Sequence, residues 1–502
     1  MEYLIGLDVG TTAVKAGVFG ADGRLAGLAT REYSLLTPGP DLVELPAGGY
    51  WDACVAAVRE AVSRSGVPVR AIRGAAISSQ GETLIPVSAD GLPLRNAIVW
   101  LDNRSQDQAR RLASRFDQSR VYEITGQTEI APTWPATKIL WLHEHEPDVF
   151  SRTDKFLLLE DFLLHKLTGE FVEEHSLASS TAYFDIRTHS WWEPMLEAIG
   201  ISASRLPVLV PSGTAVRALT SEAASELGLE PDVVVSAGAL DQMASAVGAG
   251  NISPGQVTES TGAALAICAT VAAPTYDPQA RMPCHCHAVP GLYALLPWCQ
   301  TAGMALRWFR DVFGAEEMRS SAQEGRDAYD LLCSLAEAVP PGSEGLIMLP
   351  HLAGATCPEM LPQARGVFFG FALGHGKGHF VRAILESVAF MLRRNLDNLA
   401  SIGVETADIC SLGGASRSRL WNQIKADATG RRIAASPDLE AACAGAAMLA
   451  GVGAGIYDDV RSGCLNFQAA QTRFEPDPEA SHALTEAYNK YIRLFDALEA
   501  LF

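Results

Sequence analysis

Tyr3-Leu4-Ile5-Gly6-Leu7-Asp8-Val9-Gly10-Thr11-Thr12-Ala13-Val14-Lys15-Ala16-Gly17-Val18-Phe19 stands near the start of the chain, and its pattern decides the class of fold. Apolar, partly β-branched runs over 3–9 and 13–19 predict two strands, with a tight polar turn between them. Asp22-Gly23 then turns the chain toward a third strand over 24–30, which completes an antiparallel meander. Helical patterns follow at 49–65 and 104–116. Strand-like and helix-like stretches alternate along the rest, so the expected class is α/β.

The same opening recurs in the second half. A strand over 256–260, a turn at Thr261-Gly262 and a strand over 263–270 repeat the hairpin. The Gly/Pro-rich connection Gly248-Ala249-Gly250-Asn251-Ile252-Ser253-Pro254-Gly255 marks a boundary between them. Two domains are therefore expected, 1–250 and 251–502, as two similar lobes with a central cleft that takes the ligand. A chain of 502 residues accommodates this division.

Composition narrows the function classes. Lys and Arg total 39 against 58 Asp and Glu, a formal net charge of −19. So acidic a chain is a poor nucleic-acid or anionic-membrane surface. No apolar run approaches a membrane span, and residues 1–8 lack the pattern of a secretory signal. The 10 cysteines are too sparse for a disulfide scaffold and sit mostly in apolar stretches. They read as reduced core residues of a cytoplasmic protein.

Four motifs can carry chemistry. Asp8-Val9-Gly10-Thr11-Thr12, followed by Lys15, offers turn N–H groups and hydroxyls to phosphate oxygens, and Asp8 can hold the waters of a Mg²⁺ ion. It can equally be a plain hairpin turn. Thr258-Glu259-Ser260-Thr261-Gly262-Ala263-Ala264 is a second strand-turn-strand, and the pair is better explained as a clamp on one polyphosphate than either loop alone. Neither is a Walker loop. In the third, a β-branched strand from Val233 ends in Gly238, and Asp241 opens a helix. Asp241 is either a helix cap or a general base for a hydroxyl nucleophile. The fourth, Ser411-Leu412-Gly413-Gly414-Ala415-Ser416, is a strand-to-helix turn that lets a flat ring or a phosphate approach closely.

Other features are better read as structure. In Cys284-His285-Cys286-His287, strand alternation puts the two Cys and the two His on opposite faces, and no second pair with zinc spacing follows. His143 and His145 lie in a solvated helical stretch. Gly374-His375-Gly376-Lys377-Gly378 lacks the spacing of a nucleotide loop.

Taken together, these residues resemble the FGGY carbohydrate kinases, within the actin-like ATPase superfamily. The strongest match is Gly366-Val367-Phe368-Phe369-Gly370-Phe371 followed by Gly378-His379-Phe380-Val381-Arg382-Ala383-Ile384-Leu385-Glu386, in which Phe371 replaces an aliphatic residue. The likeness extends over nearly the whole chain, through 3–19, 78–104, 157–170, 238–242, 302–311 and 412–451. It implies two actin-like, ribonuclease H-like lobes, with sugar and the first phosphate loop in the N-terminal domain and nucleotide in the C-terminal one. It implies MgATP and a small-molecule sugar or polyol as ligands, with no nucleic acid or membrane partner, and it allows a homodimer. Residue by residue, it makes Asp241 the catalytic base and Asp8, with Asp241, the metal-associated acid. Thr11, Thr12 and Lys15 become the first phosphate turn, and Thr261 and Gly262 the second. Gly303 and Arg307 line the nucleotide, while Gly414, Ala415 and Ser418 form the adenosine turn. Gly81, Glu82, Trp134, Asp241 and Gln242 surround the substrate.

The substrate loop Ser79-Gln80-Gly81-Glu82-Thr83 matches neither the Gln-Met-His-Gly of xylulose kinases nor the Gln-Arg-Glu-Thr of glycerol kinases. Glu82 can accept hydrogen bonds from two vicinal hydroxyls. With Gly81 in place of Arg, room is expected for a substrate longer than glycerol. The expectation is phosphorylation of a primary hydroxyl of a ketopentose such as xylulose. The alternatives are a polyol such as glycerol, erythritol or a pentitol, a non-catalytic sugar sensor, and an actin-like ATPase acting on proteins.

Overall fold

The computed structural model describes residues 1–467 and 471–502. The chain folds into two compact units. The first takes Met1–Ser253, Thr270–Ala294 and the described residues 440–467, and the second Pro254–Ala269, Leu295–Leu439 and the described residues 471–502. The segment from Glu440 thus packs with the first unit, although it lies far beyond residue 250.

In the first unit, β1 (Tyr3–Val9), β2 (Ala13–Gly20) and β3 (Leu25–Glu32) form the expected antiparallel meander. With β4 (Ile72–Ser79), β5 (Ala215–Ala218) and β6 (Val234–Leu240) they build a sheet of order β5-β6-β4-β1-β2-β3. The three central strands β6, β4 and β1 run parallel. Their near-continuous apolar sequences suit that position, since both faces of the sheet are covered. Helix Ala47–Ser65 packs through Tyr50, Cys54, Ala57 and Ala61 on one side. Helix Ala441–Gly453 packs on β1, β4 and β6.

That last helix is almost all small residues, and its backbone comes very close. A Cβ on Gly445 would sit 1.9 Å from the carbonyl oxygen of Ala244, in helix Asp241–Gly248. A Cβ on Gly6 in β1 would meet the Cys443 carbonyl at the same 1.9 Å. Glycine is required at both places for contact alone.

The second unit repeats the plan. β7 (Val257–Thr261) and β8 (Leu265–Val271) form the second antiparallel hairpin, with the first strand shifted one residue later than the expected 256–260, so that it includes Thr261. β9 (Ile409–Leu412) and β10 (Ile433–Ala435) join β7 in parallel, and β11 (Thr472–Phe474) closes the order β8-β7-β9-β10-β11. Helix Lys377–Ser401, which the FGGY-like stretch opens, and helix Arg419–Thr429 pack together. All ten cysteines are free thiols, seven of them buried. Among the described residues no helix is long and apolar enough to cross a membrane.

Replacing Gly445 by Val should separate the helices at 241–248 and 441–453, because the new side chain has only backbone to displace. The expected loss is about 1–3 kcal/mol of stability, typical of overpacking. An unchanged urea midpoint for Gly445→Val would contradict this account.

Candidate active site

β1, β4 and β6 end together: Val9 and Leu240 both pair with Ser79. The residues at or just past those ends are Asp8, the Gly10-Thr11-Thr12 turn, Gln80-Gly81-Glu82 and Asp241. Asp8 lies opposite Lys15 on β2 and Ser78 on β4. Burial lifts its carboxyl to about 6; Lys15 and the Ser78 hydroxyl oppose that rise, and Glu440 adds to it. Asp241 opens its helix, and Oδ1 accepts the Gln242 N–H at 2.7 Å. Burial lifts Asp241 to about 8, helped by the charges of Asp8 and Glu82 and resisted by that N–H. Asp8, 233 positions away in sequence, and Glu82 therefore both act on Asp241. A group of this kind can take up a proton or a cation.

Glu82 sits in the left-handed backbone region at φ 56°. Burial raises its carboxyl, while Lys138 and the Ser180 hydroxyl pull it back. The fully buried Lys138 is lowered by burial against the attraction of Glu82 and Asp102. Its Nζ donates to the carbonyls of Glu82 at 3.0 Å and Val99 at 3.1 Å. Sequence reasoning gave Lys138 no role, because a helical lysine carries no sign of being buried.

Trp100 also escaped assignment, and it links three site segments. Its indole Nε1 donates to Thr11 Oγ1 at 3.0 Å, its N–H donates to Thr83 Oγ1 at 3.2 Å, and its carbonyl accepts from Thr133 Oγ1 at 2.7 Å. Thr12 and Gln242 are exposed. Trp134 is half-buried, with Nε1 bound to the Glu129 carbonyl at 2.8 Å.

Lys15 Nζ pairs with Glu440 at 2.6 Å, with both side chains partly exposed. Gly81 is buried, and a Cβ there would lie 3.0 Å from Ser180 Oγ and 3.1 Å from Leu240 Cδ1.

Behind β6 stand four fully buried acids that the sequence reading missed: Glu160, Asp161, Glu173 and Glu174. The ladder between β6 and β4 slips between Ser236 and Ala239, so backbone N–H groups there need other acceptors. Glu160 Oε1 takes the Gly238 N–H at 2.7 Å, and Glu174 Oε1 takes that of Leu240 at 3.2 Å. Gly238 accordingly lies inside the strand rather than at its end. Glu174 is further held by Ser176 Oγ at 2.6 Å and Ser212 Oγ at 2.7 Å. Burial, reinforced by neighbouring acids, drives Glu160, Asp161 and Glu173 well above the usual carboxyl range. Protonation removes the charge that burial penalises.

In the second unit, the Gly262-Ala263 turn is exposed, and Gly303 N–H binds the Gly262 carbonyl at 3.0 Å. Gly303 begins helix Gly303–Phe313, on which Arg307 is 69% exposed and 3.7 Å from Asp311. Gly414 and Ala415 lie in a short 3₁₀ turn after β9, and Ser418 caps the next helix by accepting the Trp421 N–H at 3.3 Å. The Thr261 hydroxyl is the exception to the expected phosphate-facing set. It is buried and donates to Glu259 Oε2 at 2.7 Å, so it faces the interior and leaves backbone to face outward.

Among the described residues no cluster of three or more His, Cys, Asp or Glu has metal-holding geometry. Cys284–Cys286 form a strand buried on both faces. Mg²⁺ needs no such cage, since it keeps several waters and binds through one or two carboxylates and substrate phosphates. The mutually repelling Asp8 and Asp241 fit that requirement.

The family model for the N-terminal domain of the FGGY carbohydrate kinases matches residues 3–248, and that for the C-terminal domain matches 266–454. The chain belongs to the FGGY family of carbohydrate kinases; it is a sugar kinase, and kinases of this family use ATP as phosphate donor. A gluconokinase of Bacillus subtilis is 30% identical over 454 residues, 89% of this chain and 87% of that protein. A xylulose kinase of the same organism is 29% identical over 502 residues, 100% of this chain and 97% of its own. The crystal structure of a ligand-bound xylulose kinase from Lactobacillus acidophilus superposes with a TM-score of 0.89 at 26% identity, covering 100% of this chain and 99% of that one. The fold is thus the two-domain actin-like ATPase fold.

The acids behind β6 have a measurable consequence. Their folded pKa values are raised, so the folded state holds protons that the unfolded chain gives up above about pH 4. Their stabilising contribution is full below that pH and falls as pH rises. Glu173→Gln, at a position whose two oxygens have no partner, should therefore raise the melting temperature more at pH 8 than at pH 5. Equal shifts at the two pH values would contradict the protonated cluster.

Proposed function

We propose that this kinase transfers the γ-phosphoryl of ATP to a primary hydroxyl of a neutral ketopentose such as xylulose, with Asp241 as general base. The observation that carries this reading is Asp241 at the end of a parallel strand, its carboxyl raised by burial and by the charges of Asp8 and Glu82. Asp241 accepts the hydroxyl proton as the oxygen attacks in line. Glu82 and Trp134 orient the sugar, with Gln242 beside them. Backbone N–H groups at Thr11-Thr12 and Gly262 meet the phosphates, Gly303 and Arg307 line the nucleotide, and Gly414, Ala415 and Ser418 meet the adenosine. Asp8 and Asp241 would hold Mg²⁺ through its waters. The cation supplies charge neutralisation on the phosphates when bound.

Relatives named for gluconate and for xylulose are about equally similar, so the choice rests on charge. Glu82 repels the carboxylate of an aldonate. The two lysines that act on these acids are already committed, Lys138 to backbone carbonyls and Lys15 to Glu440. A neutral polyhydroxy ketone meets no such penalty, and an acyclic polyol is the second choice. No step requires a partner protein, and the sequence patterns support a cytoplasmic enzyme.

Coupled ADP release over xylulose, ribulose, glycerol, erythritol and gluconate tests the substrate class. The ketopentoses should give the highest kcat/KM; preference for gluconate would overturn the charge argument, and sugar-independent turnover would favour an ATPase. Asp241→Asn should lower kcat by about a hundredfold or more while sugar binding persists. Because the base must lose its proton from a raised pKa, kcat/KM at low MgATP should climb with pH through about 8 and lose that limb in Asp241→Asn. Glu82→Ala should raise the sugar KM about tenfold, the effect of losing one charge-assisted hydrogen bond, and leave the KM for MgATP in place.

A further inference from the structure

Lys425 and Glu259 form an ion pair of 2.6 Å in the second unit, with both side chains 0% exposed. The pair is a hub. Lys425 Nζ also donates to Thr261 Oγ1 at 3.0 Å. Glu259 Oε2 accepts from the Thr261 hydroxyl at 2.7 Å, and Oε1 accepts from the Ser411 hydroxyl. Thr261 immediately precedes the exposed Gly262 turn. Ser411 lies on β9, two residues before Gly413. Lys425 belongs to the helix that Ser418 caps.

The two turns also abut. Gly413 has φ 74°, and a Cβ there would lie 2.9 Å from Ser260 Oγ. The loop after β7 and the loop after β9 thus share one wall, and the ion pair is the polar bond behind it.

Stability alone is a weak reason for such a pair. Desolvating two charges costs about as much as their attraction returns, and uncharged replacements of both partners are often neutral. What an apolar replacement cannot reproduce is direction: a carboxylate with two fixed hydroxyl donors and an ammonium sets the angles of three elements at once. We infer that Glu259 and Lys425 are positioning residues that hold the Gly262 turn and the Gly413-Gly414 turn in register for the nucleotide. The inference rests on the assignment of those turns to the nucleotide.

The test is steady-state kinetics on the full-length enzyme. E259Q/K425M removes both charges; the Gln keeps one acceptor oxygen and places an NH2 donor at the other position, where a hydroxyl of Thr261 or Ser411 can turn to accept. It should keep the melting temperature and the sugar KM, yet raise the KM for MgATP by about tenfold or more, as a misplaced binding loop does. T261V leaves the ion pair intact and removes only its bond to the first turn, so it covers the case in which the double variant does not fold. It should raise the KM for MgATP several-fold with the sugar KM unchanged. G414D separates the two claims: a Cβ there meets nothing within 4 Å, so the fold tolerates it, and its carboxylate should repel the nucleotide. If G414D weakens MgATP while E259Q/K425M, or T261V where the double does not fold, leaves it unchanged, the positioning role is overturned and the nucleotide site stands. If G414D too has no effect, the nucleotide assignment falls and the inference with it.

Discussion

Everything in the first unit depends on β1, β4 and β6 ending at one edge. Parallel strands deliver their carboxyl ends to the same line, and here that line receives Asp8, Glu82 and Asp241 from stretches far apart in sequence. The register is fixed from behind. The carboxyls of Glu160 and Glu174 take the N–H groups that the slip in β6 releases. Helix Ala441–Gly453 presses its backbone on β1 and on the helix that Asp241 opens. A slip of one residue in β6 would turn Asp241 to the other face of the sheet. The buried acids and the close helix are what resist that slip.

The two hairpins look alike as sequences, each a strand, a Thr-Gly or Gly-Thr turn, and a strand. Inside, they are finished differently. At the first, the Thr11 hydroxyl accepts from the Trp100 indole, which ties the turn to the substrate loop. At the second, the Thr261 hydroxyl is drawn inward by Glu259 and Lys425. Similar letters thus serve opposite directions, and backbone N–H groups are the element the two turns have in common.

This difference marks what was legible in the sequence. The strands β1, β2, β3 and β6, the helix at 47–65 and both hairpins could be read because period and turn residues are local signals. Asp8 and Asp241 could be singled out because acids at strand ends are conspicuous, and Glu82 through the resemblance of its loop to the family's substrate loop. Glu160, Asp161, Glu173 and Lys138 could not, because a charged residue on a short helix or strand looks the same whether it meets water or core. Their burial is decided by which elements pack above them, a long-range fact. The Lys15–Glu440 pair spans 425 positions, and no local pattern encodes it. Gly81 shows a related ambiguity: a missing side chain can make room for a ligand or for a neighbour, and the sequence does not show that Ser180 and Leu240 lie against it.

The charge balance then becomes intelligible. A chain with a net charge of −19 is an improbable host for a polyanionic nucleotide if affinity comes from Lys and Arg. On the proposed reading it does not. In the first unit Lys15 is paired with Glu440 and Lys138 with backbone carbonyls, and burial raises the carboxyls at the strand ends, Asp241 further through the charges of Asp8 and Glu82. A divalent cation entering with the nucleotide would relieve that repulsion and draw the protons off Asp8 and Asp241. The neutralising charge thus comes with the substrate, and turn N–H groups supply the remaining contacts. On that reading the repulsion in an acidic site without its cation would select the metal–nucleotide complex over the bare nucleotide, and the cation's arrival would leave Asp241 ionised for the proposed role of base.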